Sequence, residues 1–365
     1  MRLSFYFARK FLIAFGGVFA VFLAIMLLVD MVEQIRRFKE ADIGVAQAAG
    51  LAALSVPASL YRILPLITIL AAIALFLGLA RTSELVVTRA AGRSALRSLV
   101  APVTTALMIG TLAVLVLNPL VAATEKEYEA LSNRLARGDA SVLSISREGL
   151  WLRQGGATGQ TVIRADRANL DGTELYSVSF ITFDSQGEPA SRIEAEKAVL
   201  TPGQWQLSMA KLWRFSPGSN PETGAKTLSE MTVPSDLTRE QIRDSFGTPS
   251  AIPIWDLPAF IASLERAGFS ARQHRVWMQM ELALPLFLCA MVLIGAGFTM
   301  RHTRFGRTGT MVLLSLLAGF GLFFLRNFAQ VLGENGQIPV IVAAWAPPVA
   351  AVLLSLTLLL HLEDG

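Results

Sequence analysis

"PASLYRILPLITILAAIALFLGLARTSELVVTRAAGRS", residues 57–94, decides how the chain folds. Its first part, 57–80, is an apolar run of the length that crosses a bilayer, for which about 20 mostly apolar residues are needed. Its second part is polar and too short to cross. It carries Arg81, Arg89 and Arg93 around one acid, Glu84, and reads as a short helix before the next apolar run. A span, a short basic helix and a second span describe a membrane hairpin rather than a soluble core.

Working outward, five further runs qualify as spans, at roughly 11–32, 99–122, 277–300, 308–332 and 339–361. Arg2, Arg9 and Lys10 precede the first run as in a signal peptide, but the run is span-length and no small-residue cleavage site closes it, so a retained helix is expected. The composition agrees: 53% of the 365 residues are hydrophobic and only 16% charged, against about 25% charged in a typical soluble domain. Between spans three and four lies a long polar insert. The expected fold class is an α-helical membrane protein of six transmembrane helices, arranged 3+3, with an inserted all-β, jellyroll-like domain. The expected boundaries are 1–123 (with a short helix near 82–92), 124–272 and 273–365.

The net charge of +4 does not indicate a nucleic-acid partner. Residues 124–272 contain 16 Lys/Arg and 19 Asp/Glu, so the basic excess lies around the apolar runs. Short loops enriched in Lys/Arg mark the cytoplasmic side. One side holds ten (Arg2, Arg9, Lys10, Arg81, Arg89, Arg93, Arg97, Arg301, Arg304 and Arg307) and the other three (Arg36, Arg37 and Lys39). Both termini are therefore expected in the cytoplasm and the insert in the periplasm of a two-membrane cell.

The insert alternates as strands do. In "SVSFITFD" (177–184) Val178 and Phe180 share one face, with Ile181 and Phe183 on the other. "SRIEAEKAVL" (191–200) sets Ile193, Ala195 and Val199 against Arg192, Glu194 and Glu196. "GQWQLSMAKLW" sets Trp205, Leu207 and Met209 against Gln204, Gln206 and Ser208. Toward the insert's end, Leu257, Phe260, Ile261 and Leu264 adopt helical spacing.

Enzyme signatures are missing. The sequence has no GxxxxGK[ST], HExxH, CxxC or GxSxG, and His274, His302 and His361 lie far apart near span ends. No catalytic residue, metal site or cofactor is expected. The lone Cys289 cannot form an internal disulfide. Ionisable residues near the membrane are costly and so informative. Asp30 and Glu33 close the first span ahead of Arg36 and Arg37, with Glu33 and Arg37 at a favourable i, i+4 spacing. Glu281, near Gln279, and Arg326, beside Asn327, either snorkel to the interface or line a cavity between helices. Glu84 has Arg81 at i−3 as a local partner. Alternatively, its helix lies in the membrane plane and offers the carboxylate to a partner's groove.

"MVEQIRRF", "SVPASLYRILPL", "LARTSELVVTRAAG", "LNPL", "GLWLR" and "LGENGQIPVIVAAWAPP" (332–348) occur in an order that resembles the lipopolysaccharide-export permease family, the LptF/LptG pair, with LptG the nearer. The resemblance spans nearly the whole chain. It implies a non-catalytic inner-membrane subunit of an ABC exporter that extracts lipopolysaccharide and passes it to a periplasmic bridge. The partners it implies are a cytoplasmic LptB-like ATPase dimer that binds the ATP, a second, LptF-like permease, and an LptC/LptA-like jellyroll protein. It further implies that Glu84, flanked by Arg81 and Arg89, couples to the ATPase, and that Arg36 and Arg37 contact lipid phosphates. Arg326 joins them as a lipid-binding candidate. Asp30 departs from the family pattern, which is often basic there. The alternatives are the LptF-like paralogue, a membrane-bound enzyme acting on lipids or peptides through His274 and Glu281, and a scaffold or sensor with no transport role.

Overall fold

The computed structural model describes residues 2–39, 44–90, 92, 94–137, 142–143, 150–156, 159–169, 172–184, 187–215, 220–238, 249–266, 270–300 and 308–364. Arg93, His302, Arg301, Arg304 and Arg307 lie outside them. The chain divides into two compact units: Met1–Ala136 with Pro249–Trp255 and Arg272–Gly365, and Arg137–Thr248 with Asp256–Ala271.

The first unit is helical. Helices α1 (Arg2–Arg37), α2 (Val45–Arg81), α3 (Glu84–Ala90), α4 (Ala95–Leu112) and α5 (Asn118–Arg137) come before the β-strands, and α7 (Arg272–Thr299), α8 (Thr308–Glu334) and α9 (Val340–Asp364) after them. Among the described residues, six stretches are long and apolar enough to cross a membrane; the third combines α4 and α5 and runs over Leu96–Ser132. A π-helical turn, Ala113–Leu117, joins those two just before Asn118–Pro119. Proline has no N–H to donate, and a π turn absorbs the resulting break without ending the helix.

Helix α7 is the centre of this unit. Of its most apolar stretch, 78% is buried within the chain, against none for α1. Phe287, Met291 and Ile294 of α7 pack with Ile69 and Ile73 of α2 and Leu322 of α8. Gly110 lets α4 approach it: a Cβ there would lie 2.5 Å from Pro285 Cα. Small residues at such crossings let helix backbones touch, which is how apolar helices gain packing energy in lipid.

The second unit holds strands β1 (Val142–Leu143), β2 (Leu150–Gly156), β3 (Gly159–Asn169), β4 (Glu174–Phe183), β5 (Pro189–Thr201), β6 (Gln204–Arg214) and β7 (Lys226–Pro234), followed by helix α6 (Leu257–Arg266). All pairings are antiparallel. From β3 to β7 each strand pairs with the next, and β1 and β2 both pair with β3. The sheet is therefore six strands wide. Lying flat, β2 and β7 would stand about 24 Å apart at the usual strand spacing of about 4.8 Å. Yet Gln154 Nε2 on β2 donates to Pro234 O on β7 at 2.9 Å, and Ser235 Oγ donates to Gln154 Oε1 at 2.8 Å. The sheet is rolled until its two ends meet, and it encloses Ile163, Phe180, Leu200, Trp205 and Leu207.

Alternation fails along one line across this sheet. The ladders pair Ala165–Val178–Ala195–Ala210–Leu228 and then Arg167–Tyr176–Lys197–Ser208–Glu230, skipping the row Asp166–Ser177–Glu196–Met209–Ser229. On each strand two consecutive residues point outward there, so the buried set continues at Ala168, Leu175, Ala198 and Leu207. Ser177 and Met209 both adopt φ of 53° to make the step. This corrects two alternation expectations. Met209 is 56% exposed while Ala210 is buried, and Ala198, not Val199, faces the core.

Candidate functional site

Helix α3 follows α2 after a two-residue turn in which Ser83 takes φ of 59°. That turn sends Glu84 toward α1. Lys10 Nζ reaches Glu84 Oε1 at 2.7 Å, Tyr6 OH reaches Oε2 at 2.9 Å, and Thr82 Oγ1 donates to Oε1 at 2.9 Å. Burial alone would raise this carboxyl, but the bonds from Lys10, Thr82 and Tyr6 outweigh it and hold it below the usual carboxylate range. The partner is thus Lys10, 74 residues away, and not Arg81, which is exposed. Leu85 and Thr88 of α3 point inward, whereas Val86 and Val87 are exposed. Arg89 belongs to the same helix.

At the other end of α1, Asp30 accepts a hydrogen bond from Ser55 Oγ of α2 at 3.1 Å. The acid that departs from the family pattern therefore ties α1 to α2. Glu33 pairs with Arg36 at 2.9 Å, an i, i+3 contact, instead of with Arg37 at i+4. Arg37 is drawn away because its Nη1 donates to Tyr128 OH of α5 at 3.0 Å, and Tyr128 in turn donates to Gln34.

Between α2, α5, α7 and α8 lies a polar cavity of about 300 Å³. Tyr61, Asn118, Glu125, Trp277, Glu281, Arg326 and Gln330 line it. Glu281 is 2% exposed and accepts a hydrogen bond from Tyr61 OH. Arg326 sits over the Phe287 ring at 5.1 Å and donates to Met280 O at 3.4 Å. Of the two readings open for these residues, snorkelling to an interface is overturned; both face the cavity. Gln279 accepts from Trp345 Nε1 of α9 at 2.9 Å. Asn118, also buried, accepts the Ile254 N–H at 2.9 Å and so anchors the Pro249–Trp255 segment. A second, apolar cavity of about 280 Å³ runs between α1 and α2, lined by Phe19, Leu23, Val56, Leu60 and Leu117, with Tyr61 in both walls.

Sequence reasoning did not single out Tyr6 and Lys10 as partners of Glu84, nor Tyr61, Asn118 and Tyr128. The first two carried a signal: a Tyr and a Lys at i, i+4 on the basic end of the first span, on the same membrane side as Glu84. The buried asparagine before a proline in "LNPL" was a second. No group of His, Cys, Asp or Glu able to hold a metal occurs among the described residues.

Six apolar spans split three and three around a β unit, with a polar cavity inside the bundle and a short amphipathic helix between spans two and three, define a polytopic membrane protein. The family model for "Lipopolysaccharide export system permease LptF/LptG" matches residues 5–361. The chain belongs to this family. It is 26% identical over 342 residues to the lipopolysaccharide export system permease protein LptG of Escherichia coli (strain K12), covering 92% of this chain and 91% of that protein. It is 22% identical over 355 residues to the protein of the same name from Haemophilus influenzae, covering 96% of each. It is thus an LptG-like lipopolysaccharide export permease.

Proposed function

We propose that this chain is the LptG-like half of the membrane channel of an ABC exporter, oriented with both termini in the cytoplasm and the β unit in the periplasm. An ATPase dimer docks on α3 and supplies the energy; a second, LptF-like permease completes the channel, and a jellyroll protein receives the lipid from the β unit. The chain itself binds no ATP. The loop-charge asymmetry of ten against three supports the orientation. The observation that carries the docking role is α3 itself. It is a short helix at a span end with Val86 and Val87 turned outward and Glu84 only partly covered by its own chain, its side chain 28% exposed. Arg81 and Arg89 flank that acid. Arg36 and Arg37, at the opposite end of α1, form the basic rim for lipid phosphates, which guanidinium groups bind through paired, charge-assisted hydrogen bonds. Arg326 contributes a cation to the cavity between the helices.

A tagged pull-down in mild detergent tests the assembly: an ATPase and a second permease of similar size are expected with the wild-type chain, and Glu84→Ala is expected to lose the ATPase while still inserting. Full ATPase recovery with the variant would remove Glu84 from the docking site. For orientation, Thr227→Cys is expected to react with an impermeant thiol reagent from outside and Ala90→Cys to be protected. The reverse pattern would overturn both orientation and docking.

A further inference from the structure

The bonds at Glu84 join two elements that are far apart in sequence. A carboxylate offers about four lone-pair sites. Lys10, Tyr6 and Thr82 occupy three, and the exposed part of the side chain leaves one for a cation outside this chain. Tyr6 and Lys10 stand one turn apart on α1, with the Lys10 ammonium 4.7 Å from the centre of the Tyr6 ring. Their end of α1 is itself packed: Phe7 and Phe11 are buried.

Helix α1 then runs unbroken, without proline, for 36 residues to Arg37, about 54 Å at 1.5 Å per residue. No residue of its most apolar stretch is buried within the chain; Phe15, Phe19 and Phe22 pack on Val56, Leu60 and Ile67 of α2, so the middle of the helix is held along one side and not enclosed. Displacement imposed at one end of such a helix is passed along it. At its far end the polar ties among the described residues run from Asp30 to Ser55 and from Gln34 and Arg37 to Tyr128.

We propose that Tyr6 and Lys10 are positioning residues that tie α3 to α1 through Glu84, so that a partner moving α3 also moves α1 and the arginines at its far end. The inference rests on α3 being the docking helix. Glu84 is then a bridge, taking the partner's cation on one side and the α1 latch on the other. Movement at the ATPase face reaches Arg36 and Arg37 through α1 directly, bypassing the packed core around α7.

The test uses the assembled complex, with its ATPase and second permease, in proteoliposomes containing lipopolysaccharide. Two quantities are read: ATP hydrolysis and lipopolysaccharide delivered per ATP hydrolysed. For Tyr6→Phe with Lys10→Met, the ATPase is expected to co-purify and hydrolysis to persist, while delivery per ATP falls by about tenfold, the scale of losing charge-assisted hydrogen bonds. Each single variant is expected to show a smaller loss, and Lys10→Arg, which keeps the cation, to restore most of the ratio. Unchanged delivery per ATP in the double variant would overturn the latch. So would loss of the ATPase from that variant's complex, because the two residues would then only shape the docking surface. Failure of the docking reading looks different: Glu84→Ala would retain the ATPase whatever Tyr6 and Lys10 do.

Discussion

Met209 separates the folded sheet from the pattern of its sequence, and substitution there has a predictable sign. Strict alternation with Trp205 and Leu207 places Met209 in the core. In the structure it is 56% exposed and sits at φ of 53°. A left-handed conformation costs an ordinary residue about 1–2 kcal/mol, and asparagine tolerates it far better than a β-branched side chain. Met209→Asn gives up somewhat less than half of a full methionine burial, about 1 kcal/mol, and recovers a comparable strain. Its net effect is expected within about 1 kcal/mol of zero. Met209→Val keeps an apolar side chain of high strand propensity but adds branching at a positive φ, and is expected to cost about 1–2 kcal/mol. A core position would reverse the order, with asparagine costing roughly 2–5 kcal/mol and valine under about 1.5. The assay is urea-dependent proteolysis of the β unit within the full chain. A valine variant more stable than the asparagine variant would refute the skipped row.

Two further outcomes follow from the helical unit. Gly110→Val must push α4 off the Pro285 backbone, 2.5 Å from the new Cβ, and is expected to cost about 1–3 kcal/mol, read as a lower thermal aggregation midpoint in detergent; Gly309→Val, which meets nothing within 4 Å, is the control, and equal midpoints would refute the close crossing. Arg36→Glu is expected to reduce lipopolysaccharide photocrosslinking at normal protein level, because its exposed pair with Glu33 holds it by only about 0.2–1 kcal/mol, whereas Arg37→Glu also lowers the assembled amount by losing Tyr128; unchanged crosslinking per assembled complex in both variants would remove them from the lipid path.

The spans were legible because about 20 apolar residues in a row have few other uses. Phe11–Val32 and Pro57–Ala80 announce themselves, and Glu84 stands out as the one acid in a basic loop. Its partner did not, since Lys10 is 74 residues away and only the packing of α1 beside α2 brings them together. Arg81 is nearer in sequence but is exposed. Glu281 and Arg326 were legible as costly charges, while the cavity that receives them depends on four helices at once. In the β unit alternation located Trp205, Leu207, Val178 and Phe180. It failed at Met209 and Val199 because the coordinated step shows in a single strand only as two adjacent polar residues, Glu196–Lys197 on β5, and on β6 is hidden by the apolar Met209.

That step also governs how the β unit can change. Asp166, Ser177, Glu196, Met209 and Ser229 stand in one row on five neighbouring strands, and each is the extra residue at which its strand's inward phase steps by one. Deleting one of them alone would shift that strand by one residue against the strands beside it from that row onward. Adding one would do the same. The five strands are therefore expected to vary as a set, with single insertions or deletions confined to the turns. A grafted or recombined version of this unit must carry the whole five-strand block, with no crossover point inside it.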